Sequence, residues 1–408
     1  MSSPDDIISR RLFLAGAGSA GLSMVAPLPP VLAEEAIDLG LPGGVGQRRL
    51  TSAFPGKTGM ILQRTRPPLL ETPMQVFDKE IITPNDRAYV RWHWADIPLD
   101  IDADAFRLAI RGQVNSPLRL TLSDLLRMPS LDYVAVNQCS GNSRGFVEPR
   151  VPGAQWANGS MSNSRWTGVP LRHILDRAGL RRGALFVRFA GLDEPLMPDA
   201  PDFRKSLSVD HARDGEVMVA YAMNGEQLPL LNGFPLRLVV PGWYATYWVK
   251  MLSDIEVLDR PDENYWTTKA YLVPDNPAAT MTPGETVTMV PIGAMVPRAF
   301  ITNMTGDRTL PAHTPLTLRG IALGGDCGVS KVEVSTDAGA SWRLAHLGSD
   351  LGRYSFRRWQ SAITLPPGRA AVMVRCTNER GLSQPLTANW NPSGFMRNSV
   401  ETLHLIVA

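Results

Sequence analysis

One cysteine lies in the stretch Val134-Ala-Val-Asn-Gln-Cys139-Ser-Gly-Asn-Ser-Arg144, where an apolar, β-branched run gives way to small residues. That break places the thiol just past a strand end, on a segment tight enough to lie against a ligand. Such a thiol is either a buried, inert side chain or a single thiolate ligand to a soft metal centre, with Arg144 as an anion-binding neighbour. A second candidate is Tyr89-Val90-Arg91-Trp92-His93-Trp94. Strand alternation puts Arg91 and His93 on one face and Val90, Trp92 and Trp94 on the other. A guanidinium and an imidazole beside aromatic rings suit a phosphate or oxyanion, and they also fit a solvent-facing edge strand. A third runs from Asn232 through Arg237 to Trp248-Val249-Lys250, a strand pattern that enters a Gly- and aromatic-rich loop. Arg237 and Lys250 bracket that loop either as an anion cradle or as two solvated charges. Asp193 ends the strand pattern Val187–Leu192 and either orients a cofactor amine or caps a turn. Arg357, in the arginine- and aromatic-rich run Arg353–Trp359, either reaches across a domain boundary toward an anion or decorates the surface.

The elements that must position these groups are mostly strands. The chain of 408 residues has 34 prolines and 35 glycines, which favours a β-rich, loop-rich protein. Residues 1–33 read as a twin-arginine signal peptide: Ser9-Arg10-Arg11-Leu12-Phe13-Leu14, a weakly apolar Gly/Ala-rich run, and a small-residue cleavage site at Val31-Leu32-Ala33. That route implies export to the periplasm in the folded state. Residues 34–75 are rich in Pro and Gly and are expected to form an extended N-terminal arm. Residues 76–285 hold all the candidates except Arg357. Residues 286–408 show short alternating strands separated by turns, the pattern of an immunoglobulin-like β-sandwich. A formal charge of +2 with no basic block gives no sign of nucleic-acid binding, and no second apolar run suggests a membrane span. Three cysteines make no disulfide framework, and whether Cys327 and Cys376 bond is open. No Cys-x-x-Cys-His occurs, so a c-type haem is not expected on this chain.

Taken in order, Arg91-x-His93, Cys139-x-Gly-Asn with Arg144, Arg165-Trp166, Gly-Leu-Asp193, Asn-Gly-Phe-Pro-Leu-Arg237, Trp-Val-Lys250 and the sandwich resemble the sulfite oxidase family of molybdenum enzymes. The likeness is greatest to its bacterial, periplasmic, haem-free sulfite dehydrogenases. It implies a mostly β, α+β fold: a molybdopterin-binding catalytic domain followed by an immunoglobulin-like dimerisation domain. It also implies one molybdenum-molybdopterin cofactor per chain and no haem, with Cys139 as the protein's ligand to the metal. The pyranopterin is expected to be held by His93, Asp193, Arg237 and Lys250 and by Tyr89, Val90, Arg91, Trp92, Trp248 and Val249. Asn232 stands where animal members carry a histidine. Arg91, Arg144, Trp156, Tyr271 and Arg357 match the substrate pocket. The implied reaction is oxidation of sulfite to sulfate by a homodimer, with electrons passed singly to a periplasmic c-type cytochrome. The alternatives are a sulfane dehydrogenase acting on carrier-bound sulfur, or a secreted, non-enzymatic β-rich binding protein.

Overall fold

Period-two alternation of apolar residues builds most of the chain, because a strand with one face on a core must hide every second side chain. The computed structural model describes residues 35–43, 46–306 and 309–408. The signal stretch 1–33 lies outside the described residues. The stretch 34–75 differs from the expected extended arm. Strands Ala36–Asp38, Gln47–Thr51, Met60–Arg64 and Leu69–Glu71 form an antiparallel meander that ends on Val90–Arg91. Hence Arg91 is presented from the edge strand of that sheet: Leu69 pairs with Arg91 and Leu70 with Val90.

Two further sheets carry the centre of the molecule. One runs Arg204–Ser208, Phe186–Ala190, Asp254–Leu258, Leu108–Gly112, Leu118–Leu120, with a parallel pair between Asp254–Leu258 and Leu108–Gly112. The other runs Glu226–Gln227, Met218–Met223, Met161–Pro170, Leu131–Gln138, with Arg237–Val239 beside Met218–Met223. Leu131–Gln138 pairs along its whole length with the strand Met161–Pro170, so the residue after it, Cys139, starts from a fixed point. Short helices close the sheets where the sequence provides caps. Thr121 accepts from the Asp124 amide at the start of Leu122–Leu126, and the Asp124 carboxylate accepts from the Thr121 amide.

From Arg298 onward two sheets stack. One holds Arg298–Ile301, Leu316–Leu323, Arg357–Ile363 and His346–Leu347; the other holds Thr309–Leu310, Glu401–Val407, Gly368–Asn378, Val329–Ser335 and Arg343–Leu344. Leu318, Val332, Val334, Trp359, Val372, Val374 and Leu405 fill the space between them. The main core also takes in Phe300, Ile321, Leu323, Phe356 and Phe395, so this module is packed against the preceding residues. All three thiols are free, Cys327 and Cys376 included. Trp359 is 2% exposed and donates to the Ile321 carbonyl at 3.2 Å. Trp359→Ala should lower stability by about 3–5 kcal/mol in chemical denaturation. A loss under about 1 kcal/mol would show that the sandwich core does not depend on it.

Candidate active site

Cys139 is held by its neighbours on both sides. Its amide donates to the Ser160 carbonyl (3.0 Å) and its own carbonyl accepts from the Asn142 amide (3.0 Å). Asn142 in turn accepts from the Ser160 amide and hydroxyl (3.1 and 2.8 Å). The loop then winds into a short 3-10 turn, Arg144–Phe146, which swings the Arg144 guanidinium back over Gly141. A Cβ at Gly141 would sit 2.5 Å from Arg144 Nη2, so a larger residue there would push the guanidinium out of this position.

Two chambers meet at Cys139. Their shared walls are Arg91, His93, Cys139 and Tyr271. The inner chamber adds Tyr89, Asn137, Phe203, Leu231, Asn232, Arg237, Ala245, Thr246, Trp248 and Lys250. The outer one, about 240 Å³, opens past Arg64, Arg144, Trp156, Trp266 and Phe395. Among the described residues no carboxylate lines either chamber. Arg237, 4% exposed, packs over Trp166 and Trp248 and donates to the Asn232 carbonyl (2.9 Å) and Asn137 Oδ1 (3.0 Å). Lys250 Nζ lies 4.2 Å from the Trp92 ring centroid and donates to the Arg91 carbonyl (2.8 Å). Burial, with Arg237 beside it, drops the Lys250 ammonium to about 7, and burial lowers Arg237 to about 10. Asp193 stands near Lys250 but lines neither chamber; burial lifts its carboxyl to about 6 against the pull of that lysine. Tyr271 Oη and His93 Nε2 are 2.6 Å apart. Burial, then the charges of Arg91, Lys250 and Lys205, push His93 well below the usual imidazole range, which favours its neutral form.

Most of the expected residues converge here. Val90 and Trp92 lie in the small core beneath the meander, and Val249 gives its carbonyl to the Leu238 amide. Asn232 does not stand free: its Oδ1 accepts from Lys57 Nζ (2.6 Å) and its amide donates to the Tyr89 carbonyl (3.2 Å). Arg357 is a correction. Its guanidinium turns into its own sandwich, donating to the Gly348 carbonyl and to Asp350, and lines neither chamber. Phe395 from the same module takes that side instead. Its ring stacks on Tyr271 at 5.3 Å and 3°, with the Arg144 guanidinium 5.1 Å from its centroid. Asn391 grips the Phe395 backbone at both its amide and carbonyl, and the Met396 amide reaches the Ser140 carbonyl. Sequence reasoning missed Lys57, Lys205, Asn137, Thr246 and Phe395. For Lys205 the only signal was a lysine in a strand pattern between Phe203 and Leu207; Lys57, in the turn-like Pro55-Gly-Lys-Thr-Gly59, gave none.

The sequence was compared with known families and structures. Residues 94–266 match the oxidoreductase molybdopterin binding domain, and residues 292–405 match the Mo-co oxidoreductase dimerisation domain. The chain belongs to the sulfite oxidase family of molybdenum enzymes. It is 31% identical over 361 residues to mitochondrial sulfite oxidase of Macaca fascicularis, covering 84% of this chain and 65% of that protein. Against a nitrate reductase [NADH] of Solanum lycopersicum it is 31% identical over 348 residues, 78% of this chain and 37% of that one. It therefore spans less than two thirds of the length of these curated relatives. The fold is that of the sulfane dehydrogenase SoxCD from Paracoccus pantotrophus, with a TM-score of 0.73 at 24% identity over 95% of this chain and 97% of that one.

Molybdopterin carries a phosphate, a polar ring and two thiolates, and the inner chamber can be tested against those needs. Four buried polar atoms there have no partner: Arg91 Nη1, Asn137 Nδ2, Arg237 Nε and Thr246 Oγ1. All four can donate, and an orphaned buried donor is costly without an acceptor. Donors and cations without a counter-charge are the complement of a polyanion, so the residues of this family member fit the cofactor. Lys250 gives a measurable consequence. Its folded pKa lies below its unfolded one, so the unfolded chain binds more protons from about pH 7 to 10 and stability rises with pH across that window. Burial lowers Lys57 and Lys205 to about 7 as well. Cofactor-free protein should therefore gain stability between pH 7 and 9 from all three lysines, roughly 1–3 kcal/mol for each, and Lys250→Met should remove about a third of that gain. An equal gain in the variant, by thermal melting, would place the titration elsewhere.

Proposed function

We propose that this protein is a periplasmic sulfite dehydrogenase: sulfite and water give sulfate, two protons and two electrons. The electrons pass one at a time to an external c-type cytochrome. The observation that carries the reading is the open, cation-walled outer chamber meeting the donor-rich inner chamber at a single cysteine. Arg237, Lys250, Asn137 and Thr246 hold the cofactor's anionic and polar groups, and Cys139 supplies a thiolate to its metal. When bound, the molybdenum-pterin group supplies the two-electron oxidation and the transferable oxygen. The chain supplies recognition and order. Arg91 and Arg144 draw a small oxyanion toward Cys139, since guanidinium groups match paired oxygens. Arg144 is already oriented by donating to the Ser393 carbonyl (2.8 Å) and the Ala154 carbonyl (3.2 Å), so little freedom is lost when substrate arrives. Trp156, 1% exposed, forms the back of the outer chamber, and Phe395 closes the side facing the sandwich. The matched dimerisation domain supports a homodimer, and the twin-arginine stretch supports the periplasm.

A second reading, oxidation of carrier-bound sulfane sulfur, is favoured by one feature. The outer chamber exceeds the needs of a four-atom ion, and Phe395 stands where a third guanidinium was expected. Turnover separates the two. Purified protein should reduce ferricyanide with free sulfite and contain close to one molybdenum per chain. Molybdenum without turnover of free sulfite would favour the carrier-bound substrate. For sulfite, Arg144→Gln should raise KM at least about tenfold, the loss of one charge-assisted contact, with a smaller change in kcat. An unchanged KM would remove Arg144 from the substrate site.

A further inference from the structure

The outer chamber has two unlike walls. Arg91 and Arg144 supply the charge beside Cys139, and Arg64, exposed, stands at the opening. Arg91 Nη1 is buried without a partner. Arg144 commits Nε to the Ser393 carbonyl and Nη1 to that of Ala154, which leaves Nη2 for a ligand. Much of the remaining wall is carbon, from Pro67, Leu69, Trp156, Trp266 and Phe395. Phe395 is fixed there. Its amide donates to Asn391 Oδ1 (3.0 Å), and its carbonyl accepts from the Asn389 and Asn391 side chains (3.0 and 2.9 Å). Its ring lies 5.3 Å from that of Tyr271 and 5.1 Å from the Arg144 guanidinium carbon. Sulfite presents three oxygens, whereas Arg91, Arg144 and a fixed phenyl ring share the space beside the cysteine. A pyramidal sulfur bearing two oxygens and one carbon matches that division better.

We infer that the outer chamber accepts organic sulfinates, with an aromatic or other apolar substituent on sulfur, and oxidises them to sulfonates. The inference rests on the oxidation of a sulfur oxyanion proposed above and names a further substrate class for the same chamber. A sulfinate and water give a sulfonate, two protons and two electrons. One S–O bond forms, both O–H bonds of the water break, and the S–C bond stays intact. Sulfur is oxidised, the electrons go to the same external acceptor as with sulfite, and the protons go to solvent. Arg91 and Arg144 take the two oxygens, since guanidinium groups match paired oxygens. The substituent leaves water against Phe395, Trp156 and Trp266, whose flat faces suit a ring. An apolar cavity of roughly 150 Å³ already holds a benzene molecule. This chamber, at about 240 Å³, has room for a phenyl group and the sulfur head together. A free sulfinate needs no carrier arm to reach Cys139, which sets it apart from carrier-bound sulfane sulfur.

Benzenesulfinate is the probe. Purified holoenzyme should reduce ferricyanide with it above the enzyme-free rate, with kcat/KM within about tenfold of the sulfite value. In oxygen-18 water the product should be benzenesulfonate carrying one labelled oxygen, read by mass spectrometry. Phe395→Arg brings a third guanidinium to the chamber. It should lower the benzenesulfinate-to-sulfite ratio of kcat/KM at least about tenfold. Phe395→Leu, which keeps the wall apolar, should change that ratio less than about threefold. Independently of turnover, calorimetric titration should show benzenesulfonate binding wild type at least about tenfold tighter than sulfate, a preference lost in Phe395→Arg. Turnover of benzenesulfinate without sulfite would support the inference and remove sulfite as the substrate. Turnover of sulfite without benzenesulfinate, with equal affinity for sulfate and benzenesulfonate, would overturn the inference and leave the proposed function standing. Molybdenum-loaded protein that oxidises neither ion would contradict both.

Discussion

Positive charge buried without a negative partner is the constraint around which the structure is organised. Arg237 is buried and Lys250 half-buried, and neither forms an ion pair within 4 Å among the described residues, although Asp193 stands near Lys250. Burying a charge costs several kcal/mol unless something compensates, and here carbonyl oxygens and aromatic faces supply only part of that. Trp92, Trp166 and Trp248 offer their rings, and the Arg91 and Asn232 carbonyls accept hydrogen bonds. The rest is left for a polyanionic occupant, so on the proposed function the residues whose burial costs stability would also provide the affinity for the cofactor.

The surrounding elements hold that charge in place. Tyr89 and Arg91 arrive at the end of a meander, Cys139 at the end of a fully paired strand, and Arg237 on a short strand beside Met218–Met223. Lys250 follows the aromatic loop and pairs back on Arg237 as an isolated bridge. The C-terminal module is part of the site as well as a neighbour of it, since Phe395 lines the outer chamber, Asn391 holds Phe395 and the Ser393 carbonyl anchors Arg144. Substrate-facing groups therefore come from the sandwich as well as from the central sheets. A disturbance in the sandwich near residues 389–397 reaches the substrate side directly.

Much of this was legible in the chain. Period-two alternation marks the strands, and glycine and small residues mark the turn at Cys139. The order of Arg91, Cys139, Asp193, Arg237 and Lys250 carries the family resemblance. What was hidden required knowing which residues meet across the fold. Lys57 lies in a stretch that reads as loose arm, and only the meander brings it to Asn232, 175 residues away. Arginine density drew attention to Arg357, but its strand pairs with Leu316–Leu323 and keeps the side chain in the sandwich. Phe395 carries no chemistry that a linear reading would select. Its place follows from the clamp by Asn391 and from stacking on Tyr271, both of them long-range or conformational facts.

The central claim is that the Cys139 sulfur completes a molybdenum centre inside this ring of cations. X-ray absorption at the molybdenum edge of the purified protein tests it most directly. The account predicts three sulfur neighbours in wild type, two from the pterin and one from Cys139. It predicts two in Cys139→Ser with the metal retained. A sulfur count that does not change between the two proteins would contradict it.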